Sequence, residues 1–171
     1  MGQIKGMGFA FRNTYLVECF DPDGNLKWRD ETTNLVVNEG LDDVLTRYLK
    51  GSTYTAAHYV GLTGSTPTFA AGDTMSSHTG WTEVTDYSEA ARQDYTPGTV
   101  SGQSVDNSAS KASFSINADN TPIGGAFLAT DNTKGGTAGI LYGGAAFSAG
   151  DKTADNGDTV NVTVTCTASS S

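Results

Sequence analysis

The sequence is poor in cysteine, histidine, basic residues and long apolar runs. Cys19 and Cys166 are the only cysteines. Their spacing suggests no disulfide framework. Both lie in strand-like runs beside apolar residues, so they read as buried thiols. A chain of 171 residues buries roughly 70% of its unfolded surface and needs neither a disulfide nor a metal as a staple. The two histidines, His58 and His78, fit no HExxH pattern, and there is no CxxC pair, so no zinc site is predicted. No apolar run approaches the ~20 residues of a membrane span. The first residues, MGQIKGMGFAFRN, lack the apolar stretch of a signal peptide. Gly6 stands where myristoylation requires Ser or Thr. These absences predict a soluble protein made inside the cell.

Charge is also scarce and one-sided. Charged residues make up 17% of the chain, with 10 Lys+Arg against 19 Asp+Glu and a net charge of −9. After residue 51 the only basic residues are Arg92, Lys111, Lys134 and Lys152. Phosphate binding needs clustered Lys and Arg, so nucleic acid and anionic membranes are excluded as partners. A basic or polar protein surface suits this charge better.

Chemical motifs are missing too. There is no GxSxG elbow, no GxxxxGK[ST] loop and no GxGxxG following a strand. Asp21-Pro22-Asp23-Gly24-Asn25 has the look of a calcium loop. That pattern needs Gly at its sixth position and Glu at its twelfth, where Leu26 and Thr32 stand. It reads instead as a hairpin turn, and Asp151, Asp155 and Asp158 read as turn residues. His78 could meet Asp73 and Glu83 in space, but all three read as loop residues. Glycoside hydrolysis would bring aromatic platforms, and the only tryptophans are Trp28 and Trp81, which read as packing residues. The sequence therefore assigns no catalytic, cofactor-binding or metal-binding residue, predicts no cofactor, and points away from an enzyme.

What is present in quantity is glycine, 21 residues, together with Ser, Thr and Asn. This mixture suits short strands and tight turns rather than helical bundles. Residues 13–20 alternate as a strand, turn at 21–25 and return over 26–36. The clearest alternation is Val160, Val162, Val164 and Cys166 against Asn161, Thr163, Thr165 and Thr167. Further strands are predicted at 57–62, 111–117, 122–130 and 139–147, with an ambiguous stretch at 81–95. The doublets Gly124-Gly125, Gly135-Gly136 and Gly143-Gly144 suit bulges or close backbone approach. Residues 63–80 read as a long polar loop of the kind used for function or ordered by a partner. One helix is predicted over about 39–50, with Asn38 as its cap. Leu41, Val44, Leu45, Tyr48 and Leu49 form its apolar stripe, predicted to pack on a sheet. Strand spacing without intervening helices predicts an all-β fold, an antiparallel β-sandwich of jelly-roll type with one short α-helix. Residues 1–12 are predicted to be a flexible N-terminal arm, 13–171 a single sandwich domain, and 168–171 a loose tail.

A set of phrases carries a resemblance. These are Asp21-Pro-Asp-Gly-Asn-Leu-Lys-Trp28, Thr33-Asn-Leu-Val36, Asn38-Glu-Gly-Leu41, Tyr59-Val-Gly-Leu62, Ala71-Gly-Asp-Thr-Met75, Gly80-Trp-Thr-Glu83 and Tyr87-Ser-Glu-Ala90. In this order they resemble small virion structural proteins of tailed bacteriophages, over about residues 14 to 165. Within that group the best fit is the head decoration, or cement, type. The resemblance implies a protein made in the bacterial host cytoplasm and located on the capsid surface of the virion. It implies the major capsid protein as partner and a homo-oligomer, dimer or trimer, matched to the lattice axes. The role implied is stabilisation of the shell by non-covalent bridging of capsomers. The alternative within the same group is a small tail or fibre-associated protein contacting a host receptor or glycan.

Overall fold

The computed structural model describes residues 9–53 and 57–170. The strands are β1 (Phe9–Phe20), β2 (Leu26–Thr33), β3 (Leu35–Val36), β4 (Tyr59–Thr63), β5 (Gln93–Asp94) and β6 (Ser104–Asp106). They continue with β7 (Ala112–Ser115), β8 (Thr121–Ile123), β9 (Gly125–Ala129), β10 (Leu141–Ala146), β11 (Lys152–Ala154) and β12 (Thr159–Ser170). Helix α1 (Asn38–Val44) runs into a π-helical turn, Leu45–Leu49.

All strand pairs are antiparallel. One sheet has the order β2-β1-β12, with β6 and β7 both paired to β12. The other has the order β3-β10-β9-β4-β5, and β8 and β11 form a separate ribbon. The β1–β12 register sets Tyr15, Val17 and Cys19 opposite Val164, Val162 and Val160. Strand alternation then turns all six toward one side, where each is fully buried. They meet Val60 and Leu62 of β4 and Ala126 and Leu128 of β9 in one core. Each such valine or leucine contributes about 1.5–3 kcal/mol by leaving water. The predicted antiparallel β-sandwich with one short helix is the observed fold.

The second sheet is covered on its other face as well. Phe127 and Ala129 of β9 point away from the first sheet and join Val37, Met75, Trp81 and Leu141 in a second cluster. That explains why β9 is buried at every residue. The cover comes from the segment predicted as a long polar loop. Its ends close on themselves through Gly64 N–H to Thr82 O at 2.9 Å and Thr68 N–H to Gly80 O at 2.8 Å. Phe69, Met75 and Trp81 anchor it, and Phe69 lies where a Cβ on Gly144 would stand 2.2 Å from its ring. This third layer packs against the protein's own sheet.

The turn at 21–25 is present. The Asp21 carboxylate accepts from the Asn25 side-chain amide at 3.0 Å, from Asn25 N–H at 2.8 Å and from Asp23 N–H at 3.0 Å, and these bonds hold its carboxyl below the ordinary range, the Asn25 side chain contributing most. The predicted strand at 26–36 divides between two sheets, as β2 and β3. Two boundaries also differ from the sequence reading. Most of the arm predicted over residues 1–12 lies outside the described residues, but Phe9–Arg12 already belong to β1. The tail is not loose at 168–170, because those residues complete β12 against residues 9–11. Ser171 lies outside the described residues.

The helix departs furthest from expectation. Val37, not Asn38, is its N-cap, with no side-chain cap bond. The apolar stripe is not packed into the core: Leu41 is 38% exposed, Leu45 53%, Tyr48 65% and Leu49 81%. The helix instead docks through Gly40 and Asp43, its buried residues. A Cβ on Gly40 would stand 2.8 Å from Tyr142 Cα, so only glycine allows this approach to β10.

Candidate interaction surface

The exposed stripe forms one wall of an apolar groove of about 830 Å³. A second wall comes from the first sheet. The inward alternation of β1 and β12 continues past the closed core to Phe11, Asn13 and Cys166, which line the groove. Tyr95, Pro97, Val100 and Val105 face it from a third side, and His58, Leu128 and Tyr142 also line it. Val100 is largely exposed. Volumes of this order suit a bound segment or small ligand. Irregular π turns such as Leu45–Leu49 often mark functional positions.

Polar bonds brace the groove from behind. Tyr142 O–H donates to Asp43 Oδ2 at 2.5 Å, and Arg47 Nε donates to Asp43 Oδ1 at 2.9 Å. Arg47 also donates to the Thr53 carbonyl. Burial opposes ionisation of Asp43, but the bonds from Tyr142 and Arg47 and the Arg47 charge outweigh it and hold the carboxyl below its ordinary value. Leu141 N–H donates to Glu39 Oε2 at 2.8 Å, tying the first helical turn to β10. The His58 ring meets Tyr142 edge-on at 4.8 Å. Burial lowers the His58 pKa, partly offset by the Asp43 charge. Tyr95 O–H points at Val105 O, 3.4 Å away, and at Cys166 Sγ, 3.5 Å away. Burial raises the Cys166 thiol pKa.

Charges of both signs neighbour the groove in sequence, and none is among its lining residues. Asp42 follows Leu41 on the helix, whereas Asp94 shares the face of Ala129 and Asp106 the face opposite Val105 and Cys166, so strand alternation turns both away from the groove. Among the described residues no ion pair engages these three aspartates. Of the nearby cations, Arg47 is occupied by Asp43, exposed Arg12 alternates away from inward-facing Phe11, and exposed Lys50 follows the lining residue Leu49.

The residues weighed for chemistry from sequence make the following contacts. His78 stacks on Trp81 with ring centres 3.6 Å apart. Asp73 accepts from Ala70 N–H at 3.0 Å and Trp81 Nε1 at 3.3 Å. Glu83 is paired with Arg92 at 2.7 Å. His78 and Glu83 do share a smaller cavity, of about 290 Å³, yet among the described residues no three His, Cys, Asp or Glu side chains could jointly hold a metal. Asp155 and Asp158 clamp Lys27 at 2.9 and 2.6 Å, and Asp151 receives Thr66 N–H at 2.9 Å. Trp81 is core, while Trp28 is partly buried and donates from Nε1 to Thr153 O at 2.8 Å. Cys19 and Cys166 are free thiols opposite different partners, Val160 and Asn13. Burial is the main cause that pushes Cys19 up to about 12. Among the described residues no helix is long and apolar enough to cross a membrane.

The stripe itself was legible, but its role was not. Gly40 and Asp43 on the opposite helical face were the available signal, since a glycine within a helix marks close backbone approach. Tyr95, Val100 and Val105 carried no signal, because they reach the groove only through long-range pairing.

No protein-family model matches the chain, and searches of the curated proteins and of the solved structures give no significant match.

Proposed function

We propose that this protein is a virion structural protein of a tailed bacteriophage that decorates the capsid shell. It bridges capsomers non-covalently, and its partner is the major capsid protein. The observation that carries this reading is the exposed apolar groove beside α1, on a sandwich otherwise sealed by two apolar clusters. Exposed apolar surface of this kind, rimmed by polar groups, is typical of protein-binding faces. The choice of a phage particle rests on the resemblance of the sequence phrases to small virion proteins.

In mechanism, each copy adds a modest docking energy that exists only on the assembled shell. Binding to the assembled state alone shifts the equilibrium away from disassembly. Repetition over a closed lattice multiplies the effect.

Co-sedimentation tests the proposal. Purified protein is mixed with expanded shells, with unexpanded precursors and with isolated tails of the phage whose genome encodes it. Saturable binding to expanded shells supports the reading. Binding to tails alone replaces it with the receptor-contacting role, and binding to none refutes it.

A further inference from the structure

We infer that the groove beside α1 is filled by the same face of a second copy, the two helices lying antiparallel across a two-fold axis near Leu45. This assignment rests on reading the groove as a protein-binding face and names what docks there. An isologous interface needs a projection and a recess on one self-complementary patch. The stripe supplies the projection, with Leu49 81% and Tyr48 65% exposed. The groove between the stripe, Phe11 and Val100 supplies the recess. The area also suffices. Leu41, Leu45, Tyr48, Leu49 and Val100 are all exposed. Together they offer roughly 600 Å² to solvent, so covering them in two copies buries about 1,200 Å², the lower bound of stable specific interfaces.

The two ends of the helix select this occupant among apolar ones. The groove's lining carries no formal charge, so discrimination falls to its flanks. Asp42 follows Leu41 and Lys50 follows Leu49. Both charged residues are exposed, and neither forms an ion pair among the described residues. Eight residues apart, they fall on one side of the helix. An antiparallel pair centred on Leu45 sets Leu41 beside the partner's Leu49. The two-fold rotation then brings Asp42 of each copy within reach of the partner's Lys50, so the contact forms twice. Opposite signs at opposite ends of one helix match their own reversed copy. In the capsid reading, the pair gives each bridge two identical shell-binding halves.

Sedimentation velocity of the intact protein tests the inference. It is run at physiological salt, where a Debye length of about 8 Å mutes repulsion between bodies of net charge −9. A reversible monomer–dimer equilibrium in the micromolar range is expected for an interface of this size. Leu45→Asp should abolish it, because the axis sets the two added charges face to face. Tyr48→Ser is the uncharged second variant and should weaken the dimer about tenfold. Both positions are more than half exposed, so an unchanged melting temperature at low concentration verifies folding. Asp42→Lys and Lys50→Asp should each weaken the dimer roughly five- to tenfold. Asp42→Lys does so despite lowering the net negative charge, which separates a local contact from general repulsion. Combining the two reverses both contacts and should return the dimer to within about twofold of its original affinity. A monomer at every concentration overturns the inference, as does a dimer indifferent to Leu45→Asp, a trimer, or a charge swap that fails to restore pairing. A monomer that binds expanded shells, and loses them in Leu45→Asp, would overturn it in favour of the capsid protein as occupant. A dimer with the expected charge-swap pattern, beside failed co-sedimentation with shells, would refute the capsid role and leave this assignment standing.

Discussion

Replacing Arg92 by methionine should cost this fold more than any surface change. The Arg92 side chain is 0% exposed and that of Glu83 is 7% exposed. Nε and Nη2 donate to the two Glu83 oxygens at 2.9 and 2.7 Å. Nη1 donates to Asp131 O at 2.8 Å and Nη2 to Gly136 O at 2.6 Å. The guanidinium also lies 5.2 Å from the centre of the Phe127 ring. One side chain therefore pins the covering segment and the 131–136 turn to the second sheet. Methionine keeps much of the volume but leaves Glu83 a buried charge, with Gly135 N–H at 3.0 Å as a remaining donor. Breaking one side of a buried pair costs about 3–5 kcal/mol. For a chain of this size 1 kcal/mol moves Tm by about 2–4 °C, so the melting point should fall by roughly 6–20 °C. Urea unfolding followed by tryptophan fluorescence gives the free energy directly, and Trp81 in the second cluster reports on this region. The double variant Arg92→Met with Glu83→Leu should recover part of the loss, because an apolar replacement of both partners removes the orphaned charge. A single-variant loss under about 1 kcal/mol, or a double variant equal to the sum of the singles, would refute the pinning role.

Further outcomes follow from the same geometry. Leu45→Asp and Leu49→Asp should change stability by no more than about 0.5 kcal/mol, as exposed positions do, whereas Val162→Asp should prevent cooperative folding; thermal melts read both. Gly40→Ala should destabilise by about 1–3 kcal/mol through overpacking against Tyr142, despite alanine's helix propensity, and urea titration decides the sign. His58 has a lowered pKa in the folded state, so the unfolded chain binds the extra proton first. Its contribution is fully present above the unfolded value of about 6.5 and is lost as pH falls toward the folded value. His58→Gln should therefore flatten the stability decline below that pH, measured as urea midpoints at neutral and mildly acidic pH; an unchanged decline would remove His58 as its source.

Legibility in the sequence followed the range of the interactions. The β1–β2 hairpin was readable because its turn is local, with Asp21 bonding residues 23 and 25. β12 was readable because its valines alternate without interruption. β6 and β11 were not, since strands of three residues carry no period and form only where β12 and β8 present an edge. The covering segment looked unstructured because Phe69, Met75 and Trp81 are spaced without period, and their burial depends on β9 behind them. The helix was legible in position but not in orientation. Five apolar residues outvoted one glycine, yet the backbone contact at Gly40 and the Asp43–Tyr142 bond decided which face turned inward. The groove was hidden for that reason, and because its other walls come from separate elements.

Copy number in the particle tests the central claim most directly. Quantitative mass spectrometry of purified virions would compare this protein with the major capsid protein. The decoration role predicts a ratio near parity or a large simple fraction of it. A few copies per particle, or none, would contradict it.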